Sequence, residues 1–238
     1  MFEYTLDDLN VTAESVSKIL YREAPLAAQE MAEDNVFVSR YEKLFKMYTR
    51  FVEPFAYSRS VEMQYFRDVF ADSLTYDSPI FRAAECWSRG EIFVVTIGRY
   101  IDDSITGLYE RGELTDALYL DAVGTSLIEN LAAKLQSDIA EKYLNYTKEE
   151  DDEKLSSEEF YAARYSPGYC GWDLSGQDEL FGYLADVQLP VSITSSGMMH
   201  PRKSVSGVIV MERKDPSWNL YAACRLCRNR CGMVRRVV

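Results

Sequence analysis

Apolar and polar positions fall in helical period through most of the first half of the chain and in short strand-like runs through the second. Residues 11–32 carry a helical pattern that Pro25 interrupts, because proline removes a backbone donor and fixes φ. Thr12 stands as the N-cap and Glu14 adds a negative charge to the first turn. Ser15, in place of Glu or Gln, occupies the third position after Thr12, so a full capping box is not expected. Residues 35–70 are rich in aromatics, and Tyr41, Phe45 and Tyr48 recur one helical turn apart, the spacing of a core-facing stripe. Glu91–Gly98 reads as a buried strand ending in glycine. Asp102 and Asp103 follow as N-cap candidates for a helix running to about Arg111.

The clearest helix is Asp121–Leu144, where Leu127, Leu131, Leu135 and Ile139 recur at every fourth position. Glu129 lies near the edge of that stripe. Lys148–Glu159 is a charge run with no apolar period, read as a surface loop or linker. Beyond it, Gln177–Leu184 reads as a short helix, and Val191–Thr194, Ser204–Met211 and Trp218–Ala223 as strands. Helices before the charge run and strands after it predict an α+β fold with a largely antiparallel twisted sheet. The chain reads as one unit over 1–238: a mainly helical part at 1–147, the acidic linker at 148–159, and a sheet part at 160–238.

Composition narrows the function. A net charge of -12 and a pI near 4.7 disfavour a nucleic-acid partner, which needs a basic face. Basic residues do gather at the C-terminus, where Arg225, Arg228, Arg230, Arg235 and Arg236 form a patch suited to a protein or an anionic cofactor. No run approaches the ~20 apolar residues of a membrane span, and the acidic N-terminus lacks the layout of a signal peptide. Five cysteines, an odd number crowded toward one end, do not make a secreted disulfide framework. These features together predict a reduced, cytoplasmic protein.

The most informative stretch is Arg164–Gly207, in which two turns, Ser166-Pro167-Gly168 and Met199-His200-Pro201, bracket a short helix and a strand. A Pro-Gly bend is stiff and can turn backbone amides toward a ligand. Arg164 and Tyr169 are expected to be exposed at one end of the stretch, Ser204 and Ser206 at the other. Arg164-Tyr-Ser-Pro-Gly-Tyr169 resembles the R-x-x-P-G-Y signature of the activation domain of cobalamin-dependent methionine synthase. The similarity continues in order through Ile193-Thr194-Ser195-Ser196, Met199-His200-Pro201 and Ser204-Val205-Ser206-Gly207. Upstream, Asp121–Leu131 resembles the family's long helix, with Glu129 at a matching acidic position.

The resemblance implies an S-adenosylmethionine-binding module in free-standing form, acting on a cobalamin held by a separate partner. That partner is a cobalamin-binding protein or a methionine synthase without its own activation domain, supplied with electrons by a flavodoxin- or ferredoxin-type donor. Carried over residue by residue, it implies ligand contacts at Arg164, Ser166, Pro167, Gly168, Tyr169 and Glu129. The family's paired aromatics after S-V-S-G are displaced in this chain, with Trp218 and Tyr221 the nearest candidates. The residue chemistry agrees: a guanidinium forks onto a carboxylate, a carboxylate suits an ammonium or ribose, and a tyrosine offers a face and a hydroxyl. Two departures stand out. Cys170-Gly171 replaces the Pro-Ala often found after the tyrosine, and neither Asp102 nor Asp103 is a good match for the family's N-terminal aspartate.

Cys224, Cys227 and Cys231 supply three thiols at spacings that fit a zinc site or an iron–sulfur cluster, with Cys170 or Cys86 as the fourth ligand or with one iron left open. Reduced thiols on a tail fit equally well. Two other functions therefore stay open, an adaptor that assists the cobalamin enzyme without the methyl donor and an iron–sulfur electron-transfer protein. His200, the single histidine, reads as a surface turn residue.

Overall fold

The computed structural model describes residues 1–75, 78, 80, 89–150 and 160–213; the side chains of 144–150, 160, 212 and 213 are not described. Seven helices are present among these residues: α1 (Ala13–Leu20), α2 (Pro25–Glu33), α3 (Asn35–Tyr48), α4 (Met63–Val69), α5 (Tyr100–Glu110), α6 (Leu114–Glu150) and α7 (Gly176–Tyr183). The strands are β1 (Phe55–Glu62), β2 (Arg89–Thr96), β3 (Phe160–Tyr165), β4 (Ser192–Ile193), β5 (Met199–His200) and β6 (Ser204–Arg213). The fold is α+β, as the hydrophobic pattern predicts.

Helix boundaries follow from local chemistry. Pro25 separates two helices, as its place in the pattern implies, and opens α2 at a first-turn position, where its missing N–H costs nothing. Thr12 caps α1, accepting from the Ser15 amide at 3.2 Å, and Ser15 Oγ accepts from the Thr12 amide at 3.0 Å. The capping box is therefore complete, against expectation, because a serine hydroxyl reaches the cap as a Glu side chain would. Asp102 and Asp103 are not caps either. The N-cap of α5 is Arg99, and both aspartates lie inside the first turn. At the other end of α5, Gly112 takes φ +75°. Its amide donates to Tyr109 O and that of Glu113 to Leu108 O, the paired bonds of a glycine-terminated helix. The next residue, Leu114, begins α6, so that helix starts before Asp121 and runs through Lys148–Glu150 of the acidic segment.

β1, β2, β6 and β3 form one antiparallel sheet in that order. Two of its strands precede the acidic run and two follow it. β2 answers to the strand read at Glu91–Gly98, whereas β1, within the aromatic-rich stretch, is a strand that the pattern did not mark. Long-range pairing across the sheet, not local sequence, sets that arrangement.

Both faces of the sheet are covered. Ala56, Phe93, Val95 and Ile209 pack against α1, α3, α5 and α6, whose Leu120, Leu127, Leu131, Leu135 and Ile139 line the interface. Ile92, Val94, Val208 and Val210 face the opposite way, onto Phe66, Phe70, Trp172 and Leu180. Strand side chains alternate between faces, so each strand contributes to two cores.

Candidate functional site

β3 is an edge strand, and the stretch marked by the sequence leaves the sheet at its end. Arg164 pairs in register with Ile209, which in turn pairs with Glu91, so all three side chains share the face that looks at α6. From α6, Glu129 meets Arg164: Nη2 donates to Oε2 at 2.8 Å. The side chains are 16% and 26% exposed, so the pair is largely shielded from water. The second terminal nitrogen, Nη1, is buried and has no hydrogen-bond partner among the described residues. A buried donor left unpaired costs about 1–3 kcal/mol, a cost that an arriving acceptor removes.

Glu91, in the same cross-strand row, does not supply that acceptor. It is almost fully buried and already accepts from Lys142 Nζ at 2.8 Å, Ser58 Oγ at 2.8 Å and Tyr143 Oη at 3.3 Å. Burial, and then the Glu91 charge, push the Tyr143 phenol up to about 12.

After Tyr165 the chain turns sharply through Ser166-Pro167-Gly168. Gly207 on β6 makes the turn possible, because a side chain there would collide with the Tyr165 carbonyl. The Gly168 amide donates to Trp172 O at 2.7 Å, the Tyr169 amide to Ser166 O at 3.2 Å and the Trp172 amide to Tyr169 O at 2.9 Å. The amides of Gly168 and Tyr169 are thus engaged within the bend, so they are not the groups a ligand would meet. Cys170 sits in the left-handed region at φ 52°, which a Pro at that position could not adopt. Tyr169 is 39% exposed, with its side chain open to a ligand or a partner.

Ser204 and Ser206 are not an exposed polar cluster. They are 7% and 2% exposed, because their strand is central and covered on both faces. Ser204 Oγ lies 2.7 Å from Pro201 O and 2.9 Å from Thr96 Oγ1, and Ser206 Oγ donates to Gln177 Oε1 of α7 at 2.7 Å. Within S-V-S-G, Ser204 thus ties β6 to the Pro201 turn and to β2, Ser206 ties it to α7, and Gly207 leaves room for the bend.

The second turn is a small hairpin, with β4 paired to β5 and the Thr194 amide donating to Met198 O at 2.9 Å. His200 is exposed there, as its turn position implies, and precedes a cis proline. Leu174 fills the space beside both Gly168 and Gly197, joining the hairpin to the bend. What holds the hairpin at its far side went unread in the sequence. Asp102, 5% exposed on α5, accepts from the Arg202 amide at 2.6 Å through Oδ2. Lys203 Nζ donates to Asp121 Oδ1 at 2.9 Å and Thr125 Oγ1 at 2.8 Å on α6. The signal available was Arg202-Lys203 following a proline turn, but its carboxylate partners lie about a hundred residues away in sequence.

Tyr221, Cys86, Cys224, Cys227 and Cys231 lie outside the described residues, as does the strand expected at Trp218–Ala223. Among the described residues, no group of three or more His, Cys, Asp or Glu side chains is placed to hold a metal ion. None of their helices is long and apolar enough to cross a membrane.

Residues 88–227, more than half of the chain, match the family model of the vitamin B12 dependent methionine synthase activation domain. The chain belongs to that family. The matched span carries α6, the bend and S-V-S-G, and ends at Cys227, so Cys231 lies beyond it. A crystal structure of the MetH reactivation domain bound to AdoHcy is similar in fold, with a TM-score of 0.57 and 16% identity. That similarity covers 88% of this chain and 77% of the other. α1 to α4 and β1 precede the family match, and β1 pairs with β2 inside it, so one sheet spans both parts.

Proposed function

We propose that this activation-domain chain binds S-adenosylmethionine beside Arg164 and supports the reductive methylation of a cobalamin carried by a separate methionine synthase or corrinoid methyltransferase. The observation that carries the reading is the half-satisfied guanidinium. Arg164 is oriented by Glu129 through one nitrogen and keeps a second buried nitrogen without a partner among the described residues. An α-amino acid end fits such a pair: its carboxylate meets the open N–H of Arg164, and its ammonium meets the negative edge that Glu129 provides.

The methyl donor supplies the electrophilic methyl group; the chain's own residues orient it. Arg164 and Glu129 fix the amino-acid end, the Pro167-Gly168 bend limits where the rest can lie, and Tyr169 offers a ring face and hydroxyl at the opening. None of these side chains acts as a nucleophile in this reading. Their contribution is proximity, orientation and the exclusion of water. Electrons would come from a flavodoxin- or ferredoxin-type protein, and the unit at work is the chain as a whole.

A second reading, an adaptor that keeps the fold without the methyl donor, draws on the same ion pair, because Glu129 already occupies one arm of the guanidinium fork. Calorimetry separates the two. Micromolar or tighter binding of S-adenosylmethionine, weakened at least tenfold by Arg164→Ala, is expected for the first. Absence of heat at millimolar ligand rejects it. Recovery of a Co(II) methionine synthase fragment, assayed with and without the chain, then tests the activity itself.

A further inference from the structure

The bend carrying Ser166–Tyr169 is shaped through Trp172, whose backbone oxygen accepts from Gly168 and whose amide donates to Tyr169 O. Trp172 is itself held by a segment that no motif marks, the turn after α4. There the Asp173 amide donates to Ser73 O at 2.7 Å and the Thr75 amide to Gly171 O at 2.7 Å, while Leu74 and Trp172 form an antiparallel bridge. Ser78 Oγ adds a bond to Cys170 O at 2.9 Å. Ser73–Thr75 thus acts as a short strand alongside the return arm of the bend.

The Ser73 side chain sits at the centre of this contact. It is 3% exposed, and its hydroxyl accepts from Trp172 Nε1 at 3.2 Å. It donates to Glu179 Oε2 of α7 at 2.6 Å. Phe70 O lies farther away at 3.2 Å, and a hydroxyl has one proton, so the shorter, charged acceptor takes it. The indole is packed edge-on to Phe66 and Phe70 and pressed against Gly176, where a side chain would collide with its ring. A buried indole N–H needs an acceptor, and within the described hydrogen bonds Ser73 provides it. α7 is bonded in turn to β6 through Gln177 and Ser206. One hydroxyl therefore joins the end of α4, the return arm of the bend and α7.

We infer that Ser73 is a positioning residue for the ligand-holding bend, acting through Trp172 to fix Gly168 and Tyr169; this rests on the proposed S-adenosylmethionine site. A small displacement of a positioning group is enough to cost a large part of binding or rate. Removing the hydroxyl leaves the indole N–H without its acceptor and Glu179 without its donor, so the return arm loosens while the sheet, whose ladder does not involve Ser73, stays intact.

The test uses the full chain and two readouts, S-adenosylmethionine titration by calorimetry and site-resolved amide hydrogen exchange. Ser73→Ala is expected to weaken the ligand about tenfold. It should also speed exchange at Gly168 and Trp172 by about tenfold, with Phe93–Val95 of β2 unchanged. Glu179→Gln, which keeps an acceptor for the hydroxyl but removes its charge, is expected to fall between Ser73→Ala and the parent, and it carries the same test should Ser73→Ala fail to fold. Unchanged affinity in either variant of a chain that binds S-adenosylmethionine overturns the inference, and so does faster exchange spread equally over the bend and β2. If the parent chain gives no heat with S-adenosylmethionine, the ligand reading falls, and bend exchange alone then decides the role of Ser73.

Discussion

The two faces of the central sheet are built from the same strands and treat polar groups in different ways. The face under α6 buries charges: Glu91 and Arg164 stand in one cross-strand row, each met by side chains from α6. Among the described residues, the face under α7 buries no charged strand side chain in its core. Its polar contacts are neutral or reach the rim, with Ser206 on Gln177 and Trp172 on Ser73 around an aromatic cluster. Within the charged row the contrast is sharper still. Glu91 accepts from three donors, whereas Arg164 keeps one buried nitrogen without a partner among the described residues. A saturated buried charge holds the fold together; the half-saturated one is the group on which the proposed S-adenosylmethionine site rests.

Mutations can break that comparison at either end. The largest effect is expected on the α7 face. Trp172→Ala removes a fully buried ring and should cost about 3–5 kcal/mol in denaturant unfolding; a loss under 1 kcal/mol would mean that the aromatic cluster repacks freely. Next come the two charges. Glu91→Gln should lower stability by about 1–3 kcal/mol and leave S-adenosylmethionine affinity unchanged. Arg164→Gln should do the reverse, losing at least tenfold in affinity with little change in melting temperature. If both substitutions change the same quantity, the distinction between saturated and open charge is wrong.

The smallest effect concerns Asp186, which anchors the end of α7 to β1 through paired bonds with Arg59 at 2.8 and 2.9 Å. The hydrogen bond from Arg59 holds its carboxyl below the usual carboxylate range. The sign follows from linkage: stability from this group is present above the ordinary carboxylate pKa of about 4 and lost as pH falls through the depressed folded value. Asp186→Asn should therefore melt slightly below the parent at pH 7, with the two converging near pH 2. A difference that grows on acidification would reverse the assignment.

Much of the candidate site was legible in the chain before folding was considered. Arg164 and the Pro167-Gly168 turn stand in the motif order that carries the family resemblance, Glu129 is marked by that resemblance and not by its place on the helix, and α6 is marked by a stripe whose Leu127, Leu131, Leu135 and Ile139 are buried. Ser204 and Ser206 were legible as a motif but not as buried groups, because exposure depends on which strands flank β6. Ser15 completing a capping box was missed because the usual pattern asks for a longer side chain. The brace at Ser73 had no local signature, since its partners lie about a hundred positions away.

What the sequence alone determined are the features set by chemistry within a few residues. The Thr12 cap, the amphipathic period of α6, the stiff bend and the order of the family motifs all belong to that class. Tertiary structure decided everything that needs two distant segments to meet: β1 joining the sheet, Glu129 reaching Arg164, and Ser73 holding Trp172. Local propensity acts over one or two turns of chain, whereas a buried hydrogen bond between residues a hundred positions apart exists only once loop closure has been paid for by the packing of the whole core.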